Sequence, residues 1–466
     1  MSSSSTTNRV IISCVALLVV ACLCTCLVGL GGLAIWFLTA NKNLISDTSP
    51  TTPRTIRPTV TIAAPNTTNS PVDISTQMNQ IEQNIISIRG LEPTESTPRS
   101  LLTPEELRQH VTDDMLKDYT QEEARDDVIV LNAFGLLPAQ YDLYNLYIEL
   151  LSEQIAGFYD NEKKAMYVVQ GEDFLGPQRM TYAHEYVHAL QDQVYDIEKG
   201  LNYSDEICEK ESEHCAAVQA LLEGDASLAE TTWLTNYSTQ EDKTEIMQFY
   251  ATYQSPVYDS APEFLKKDFL FPYQQGLEFV QALYDDGGWR AVDQAYQNLP
   301  DSTEQILHPE NYPEDQPVNV TLSDLNTVLG EGWREVERGA MGEWYTQLIL
   351  AAGWDEKARL AESKASEAAA GWGGDAYVVY YQDQTQSTVM VLSYEWDTAA
   401  DASQFNNTFM EYASARFGDS QQSSDHAFWQ TPQGYTAIYH TDRRTTWIFA
   451  PDAKLADAVW QELHVP

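Results

Sequence analysis

The chain has 466 residues, of which 43 % are hydrophobic and 21 % charged, so it contains enough apolar residues to bury a sizeable core. Asp and Glu number 69 against 27 Lys and Arg, which gives a formal net charge of -42 at pH 7. Nucleic-acid binding needs a basic face that neutralises phosphates, and docking on anionic lipid needs clustered Lys and Arg. The composition argues against both and favours a well-solvated acidic surface.

A long apolar run lies near the N-terminus. No charged residue occurs from Val10 to Ala40, a stretch that would measure about 46 Å as a helix and exceeds the ~30 Å hydrocarbon core of a bilayer. The run is also longer than the apolar part of a cleaved signal peptide. It predicts that residues 1–43 contain an uncleaved, single-pass transmembrane helix at about 10–40, through which the protein would bind the membrane.

The next segment, residues 44–75, is rich in Pro and Thr. This composition is typical of an extended linker. The order of segments predicts an anchor, a stalk and a large acidic body at the cell membrane, with the body outside the cytoplasm. Cys208 and Cys215, which follow the stalk, are close enough in sequence to close a short disulfide loop if that compartment is oxidising.

The first part of the body is predicted to be mainly helical. Residues 101–154 have helical periodicity, and Thr103, Pro104 and two Glu residues form a typical helix start. Residues 157–160 and 165–169 are rich in aromatic and β-branched residues and flank a polar turn. This pattern predicts a β-hairpin immediately before the segment that carries the main chemical signal.

That signal is the sequence HEYVH at residues 184–188. On a helix, residues four apart project from the same face, so His184 and His188 could bind one metal ion. Zinc suits imidazole ligands and lowers the pKa of a bound water to about 7. Glu185 is placed to take a proton from that water as a general base while the metal polarises a substrate carbonyl.

A zinc site with two His needs a third protein ligand and an open fourth position. A second helical pattern follows the motif and contains Gly224, although a glycine inside a helix costs up to ~1 kcal/mol relative to Ala. Such a glycine usually has a packing or functional reason, here the close approach of another helix or of the metal to Glu223. We therefore expect Glu223 to be the third ligand, with His214, Glu213 and Asp225 as alternatives.

HEYVH followed by EGDA resembles the gluzincin group of zinc metallopeptidases, and within it uncharacterised bacterial membrane-anchored members. The resemblance covers about residues 150–235. It implies a zincin-like fold and zinc-dependent peptide hydrolysis, with His184, His188 and Glu223 as the ligands and Glu185 as the base. The sequence around the third ligand differs from that of thermolysin, so no substrate specificity carries over.

The same resemblance implies supporting roles for residues around the metal. Asp192, four residues after His188, matches a carboxylate that often follows the motif and would orient a ligand. The edge of the predicted hairpin would pair with an extended substrate backbone. Such enzymes also need a donor that stabilises the tetrahedral oxyanion, and Tyr273 and His308 are the candidates that the downstream helices offer.

Residues beyond 370 change in pattern. After Gly371-Trp372-Gly373-Gly374, five stretches are predicted to be strands and two to be helices, and none contains a metal-binding or nucleophilic motif. The predicted fold class is thus α+β: a mainly helical peptidase domain at 76–370 with a small hairpin sheet, a small antiparallel-sheet domain at 371–466, and the N-terminal transmembrane helix.

The sequence predicts a membrane-anchored zinc metallopeptidase whose cofactor is Zn²⁺ and whose partner is a peptide or protein substrate. It does not predict an oligomeric state. Two other functions remain open at this point. One is a zinc hydrolase of a non-peptide amide or ester, and the other is a surface binding or adhesion ectodomain with a structural or vestigial metal site.

Overall fold

The structure is a computed structural model that describes residues 73–169 and 174–464. Its first half runs to residue 252. The helices and strands of this half are α1 (Ile74–Arg89), β1 (Arg99–Leu102), α2 (Pro104–His110), a π-helical turn (Val111–Met115), α3 (Gln121–Phe134), α4 (Leu143–Gln154), β2 (Gly157–Asp160), β3 (Ala165–Val169), α5 (Gly176–Tyr195), α6 (Asp205–Cys208), α7 (Ser212–Asn236) and α8 (Gln240–Thr252).

The second half contains further helices and most of the strands. They are α9 (Pro256–Ser260), α10 (Glu263–Gly287), α11 (Trp289–Ala295), α12 (Thr303–Leu307), α13 (Asn326–Leu329), β4 (Arg334–Gly339), α14 (Gly342–Ala351), α15 (Glu362–Ala369), β5 (Trp372–Gln382), β6 (Ser387–Trp396), α16 (Ala399–Phe417), β7 (Gln421–Gln422), β8 (His426–Thr431), β9 (Gly434–Thr441), β10 (Arg444–Ala450) and α17 (Ala453–Glu462).

Two sheets are present among the described residues. The first has the order β1-β3-β2, in which β3 pairs in parallel with β1 and antiparallel with β2. The second has seven strands in the order β4-β5-β6-β10-β9-β8-β7, and all its neighbouring pairs are antiparallel. Its edge strand β4 has the sequence REVERG, and charged side chains on an edge discourage pairing with another chain.

The helical part and the large sheet share one hydrophobic core. Phe134, at the end of α3, is buried and makes edge-to-face ring contacts with Tyr377 on β5 and Trp447 on β10. The side chain of Arg416 on α16 donates a hydrogen bond to the carbonyl oxygen of Phe134 at 3.2 Å. The sheet is therefore packed against the helices that precede it in sequence.

Two long helices cross closely where they position the predicted ligands. A Cβ atom at Gly224 on α7 would lie 2.1 Å from the backbone oxygen of Gly276 on α10. A Cβ atom at Gly276 would in turn lie 2.2 Å from the backbone oxygen of Ala220. Both positions therefore require glycine for the helices to approach this closely, which is the packing reason expected for Gly224.

The predicted fold class is wrong as stated. The hairpin sheet has a third strand, β1, which overlaps the first two residues of the stretch predicted to be helical. The C-terminal sheet has seven strands and begins at Arg334, before the predicted start at 371. In 73–169 and 174–464 no helix is long and apolar enough to cross a membrane. The predicted transmembrane helix at 10–40 and nearly all of the linker lie outside the described residues. The domain limits stay a prediction.

Cys208 at the end of α6 and Cys215 in the first turn of α7 form a disulfide, with a Cα–Cα distance of 5.5 Å. This separation is within the usual range for the bond. Both side chains are buried. The bond joins the short helix α6 to the start of α7, eight residues before Glu223.

Candidate metal centre

The residues of the motif converge with Glu223 in the helical part of the molecule. α5 is buried over most of its length and packs against α7, so that His184, His188 and Glu223 are all fully buried. One ligand atom from each of the three lies within 4.8 Å of the others. The structure thus brings together the three ligands expected from the sequence.

The donor atoms fit a zinc ion. Oε2 of Glu223 lies 3.0 Å from Nε2 of His184 and 3.4 Å from Nε2 of His188. In a tetrahedral site with zinc–ligand distances of about 2.0–2.1 Å, two ligand atoms are about 3.3–3.4 Å apart. The residue types and their spacing therefore match three of the four zinc ligand positions and leave a fourth for water or substrate.

His184 is oriented by a second carboxylate. Its Nδ1 lies 3.0 Å from Oε2 of Glu230, which is seven residues after Glu223 on the same face of α7. A proton on Nδ1 is then donated to Glu230, and Nε2 keeps its lone pair for the metal. Such a carboxylate–histidine pair fixes the tautomer and the ring orientation, and it raises the basicity of the ligand.

His188 is oriented through an amide. Its Nδ1 lies 2.7 Å from Oε1 of Gln191. The amide nitrogen of Gln191 donates to the backbone oxygen of Leu222 at 3.0 Å and to Oδ2 of Asp225 at 3.1 Å. Because these acceptors hold the amide nitrogen, the amide oxygen must face His188, and Nε2 of His188 is again the nitrogen left for the metal.

Asp225 connects this arrangement to a buried arginine. The guanidinium of Arg89 on α1 pairs with Asp225 at 2.5 Å and with Asp293 at 2.8 Å, and its own side chain is fully buried. The hydroxyl of Tyr296 also donates to Asp225, at 2.8 Å. Burying a charge without a partner is expensive, so this network fixes Asp225 and through it Gln191.

Glu185 lies at the same centre. Its side chain is fully buried, and none of the described side chains donates a hydrogen bond to either carboxylate oxygen, whereas the backbone of Tyr159 on β2 favours its charged form. Burial raises the pKa of Glu185 to about 7, although the charges of His184 and His188 act to lower it. A carboxylate with a pKa near neutrality is suited to accept and return a proton.

The electrostatics of the ligands follow from their contacts. Burial alone would raise the pKa of Glu223, but the charge of His188 and the hydrogen bond with His184 lower it to about 2. Burial acts to lower the pKa of His184, but its contacts with Glu223 and Glu230 raise it well above its usual value. Glu223 is therefore a carboxylate anion, the form that binds a metal.

Two tyrosines interact with the third ligand, one through a hydrogen bond and one through its charge. Tyr273 on α10 is buried and donates a hydrogen bond to Oε1 of Glu223 at 3.3 Å, because the close crossing at Gly224 and Gly276 brings α10 against this part of α7. The hydroxyl of Tyr203 is buried and has no hydrogen-bond partner among the described residues. Burial and the charge on Glu223 both raise the pKa of Tyr203.

The other two predicted site residues contact different groups. Asp192 accepts a hydrogen bond from the Tyr159 hydroxyl at 2.6 Å and pairs with Lys164 at 2.7 Å, so it ties α5 to the hairpin rather than contacting His188. His308, at the end of α12, pairs with Glu343 at 3.0 Å instead of with the three ligands.

The alternative third ligands also have other partners. Glu213 accepts hydrogen bonds from the backbone and hydroxyl of Thr303, and His214 lies 3.1 Å from Asp301. Asp225 acts one step away, through Gln191. Glu223 alone among the residues considered for this position reaches both imidazoles.

Sequence reasoning missed Gln191, Glu230 and Tyr203. The spacing i+3 from His188 and i+7 from Glu223 places the first two on the ligand faces of their helices, and this spacing is the signal that was available. Tyr203 carries no such signal, because it lies in the connection between α5 and α6.

Comparison with known proteins gives one match. Residues 327–460 match the family described as Domain of unknown function (DUF8575), a region that covers β4 to most of α17 and does not include the metal centre. No curated protein and no solved structure matches the chain.

Proposed function

We propose that the protein is a zinc-dependent hydrolase that cleaves peptide bonds. The single observation that supports this most strongly is the convergence of His184, His188 and Glu223. Nδ1 of each imidazole contacts an acceptor, and Nε2 of each is directed toward Glu223. A bound zinc ion would supply Lewis acidity toward a substrate carbonyl and toward a water molecule.

The chain's own residues supply the proton transfers. Glu185 takes the proton of the attacking water and returns it to the nitrogen of the leaving amine. Its burial and its lack of a side-chain partner among the described residues favour this role, because no side-chain donor competes with the water for its oxygens. The Tyr203 hydroxyl has no hydrogen-bond partner among the described residues and feels the charge of Glu223, so it is our candidate donor to the negative charge that develops on the substrate oxygen.

The position of β2 favours a peptide over other amides and esters. β2 is at the edge of the first sheet, and the backbone of its residue Tyr159 faces Glu185. An extended peptide that added to this edge would run past the general base. Asp192 supports the geometry, since it holds the Tyr159 side chain and links β2 to α5.

The disulfide favours a location outside the cytoplasm. Disulfides persist in oxidising compartments and are rare in reducing ones. We therefore propose that the body works in an extracytoplasmic space, as the sequence predicts.

One observation favours a second candidate function, a binding module with a structural metal site. His184, Glu185, His188 and Glu223 are all fully buried in this conformation, whereas a catalytic centre must admit its substrate. If the protein is an enzyme, the centre has to open during the reaction cycle.

The two candidates are separated by measuring bound zinc and cleavage of a fluorogenic peptide library, with an ester series in parallel. We expect Glu185→Gln to retain about one zinc per chain and to lower turnover by about 10²–10⁴-fold. Glu198→Gln, an exposed acid just beyond α5, is the matched control and should keep both properties. Zinc bound by wild type without cleavage of any substrate would favour the binding module.

A further inference from the structure

A second group of carboxylates lies away from the zinc ligands. Glu304 on α12, Asp315 in the following loop and Asp397 between β6 and α16 each place a carboxylate oxygen within 4.8 Å of the others. No Lys, Arg or His nitrogen of the described residues lies within ion-pair distance of these three side chains. The group therefore brings three carboxyl groups together without a balancing cation in contact.

Glu304 is the member whose position is hardest to explain without a ligand. Its side chain is only 1 % exposed, and its Oε2 has no hydrogen-bond partner among the described residues. An ionised carboxylate that is buried without a partner costs far more than an exposed one. Asp315 and Asp397 lie nearer the surface, so the group has a buried end and a solvent-facing end.

Hydrogen bonds to the backbone hold two of these residues in place, although the three come from distant parts of the chain. The side chain of Gln305, next to Glu304, donates to the backbone oxygen of Asp315. The backbone nitrogen of Asp397 donates to the oxygen of Gly371 at 2.9 Å. A Cβ atom at Gly373 would lie 2.9 Å from Oδ1 of Asp397, so the glycine-rich turn before β5 leaves room for this carboxylate.

We propose that Glu304, Asp315 and Asp397 form a calcium site. Calcium takes six to eight oxygen ligands at 2.3–2.6 Å, so two of its ligands can lie at most about 5 Å apart, which the three carboxylates satisfy. The absence of nitrogen and sulfur donors in the group disfavours zinc. Magnesium is disfavoured because it demands near-ideal octahedral geometry and gives up its water reluctantly.

Calcium bound here cross-links the two parts of the molecule. α12, which carries Glu304, packs against α7 and α14, whereas Asp397 follows a strand of the seven-stranded sheet. The ion stabilises the packing of the sheet against the helices that hold the zinc ligands. This proposal does not depend on peptidase activity, since its readouts are binding and stability.

The test uses the full chain, loaded with one zinc and freed of calcium on a chelating resin. CaCl₂ is titrated while the melting temperature is recorded, and ⁴⁵Ca equilibrium dialysis gives stoichiometry and Kd. We expect one calcium per chain with a Kd on the order of 10⁻⁴ M. We expect the melting temperature to rise by about 5 °C at one hundred times Kd. MgCl₂ should give a clearly smaller rise.

Four variants assign the binding to these residues. Glu304→Gln should abolish calcium binding, and Asp315→Asn and Asp397→Asn should each raise Kd about 10-fold or more. Glu314→Gln, an exposed acid beside Asp315, is the control and should bind as wild type does.

The proposal is overturned if wild type binds no stoichiometric calcium, if it responds more strongly to magnesium, or if the double variant Asp315→Asn/Asp397→Asn binds as wild type does. That double variant changes two residues near the surface, so it tests the site even if Glu304→Gln does not fold.

Discussion

The candidate metal centre and the cluster of Glu304, Asp315 and Asp397 each contain a fully buried glutamate, and the two glutamates differ in the charges around them. Glu223 lies against two imidazoles, and their charge and hydrogen bonds hold its pKa at about 2 despite burial. Glu304 has acidic neighbours, and burial together with the charges of Asp315, Glu343 and Asp397 raises its pKa to about 9. Similar side chains thus lie in opposite environments within one chain.

The difference shows that the two clusters depend on a bound cation to different degrees. The proposed zinc ligands already neutralise one another in part, and the two imidazoles are oriented by Glu230 and Gln191. The Glu304 group has no such internal compensation, so its stability in the ionised form depends on a cation from outside. On our proposals, the first arrangement would select its metal by donor type and geometry, and the second by charge and oxygen content.

The largest expected effect is the loss of one metal but not the other when a single glutamate is changed. Glu223→Gln removes the anionic zinc ligand, and we expect zinc affinity to fall by more than about 100-fold, the upper end for changes to residues that only support a ligand. Glu304→Gln should leave zinc affinity unchanged, and Glu223→Gln should keep the calcium response. Competition with a chelator of known affinity measures the first metal and ⁴⁵Ca dialysis the second. Loss of both metals in either variant would show that the two groups are not independent.

A smaller loss is expected from the residue that orients His184. Glu230→Gln keeps an acceptor near Nδ1 but removes its charge, so we expect zinc affinity to fall about 10–100-fold with the fold retained. The measurement is the same chelator competition, and Glu241→Gln, an acid in the first turn of α8, is the control. Unchanged affinity would mean that the contact between Glu230 and His184 does not contribute to the strength of the metal centre.

The crossing of α7 and α10 is expected to set the position of Glu223. Gly276→Ala places a methyl group against the backbone of Ala220, and we expect a loss of about 3 kcal/mol in the free energy of unfolding, at the upper end for overpacking. Urea unfolding measures it, with Gln275→Ala, a partly buried neighbour on the same turn, as control. A variant as stable as wild type would show that the helices can separate freely here.

Local patterns predicted which three side chains converge at the candidate metal centre better than they predicted the fold around it. His184 and His188 follow from helical spacing, and Glu223 stood out because Gly224 is unusual in a helix. Nothing in the sequence alone shows that α10 crosses at Gly276 and brings Tyr273 to Glu223, because that contact joins segments about fifty residues apart.

The errors in the fold have a related cause. β4 was missed because REVERG has four charged residues in six, as an exposed loop would, and its strand pairing depends on β5 rather than on its own composition. β1 was missed because Arg99–Leu102 lies directly before a strong helix start and forms a strand only by pairing with β3. The cluster of Glu304, Asp315 and Asp397 was missed because only tertiary structure brings these three residues together.

The smallest expected effect uses a third buried carboxylate, which lies between these extremes. Asp268 accepts hydrogen bonds from the Tyr345 hydroxyl at 2.6 Å and the Trp344 indole at 3.0 Å, and burial raises its pKa to about 6. Because the folded pKa exceeds the unfolded value of about 4, the folded state binds the extra proton between these values, and stability falls as pH rises through that window.

Asp268→Asn cannot titrate, so its unfolding free energy relative to wild type should increase by roughly 2 kcal/mol between pH 4 and pH 7. Urea unfolding at several pH values measures this difference. A flat difference would mean that two neutral donors suffice to keep a buried carboxylate ionised, and the contrast between Glu223 and Glu304 would then reflect something other than neighbouring charge.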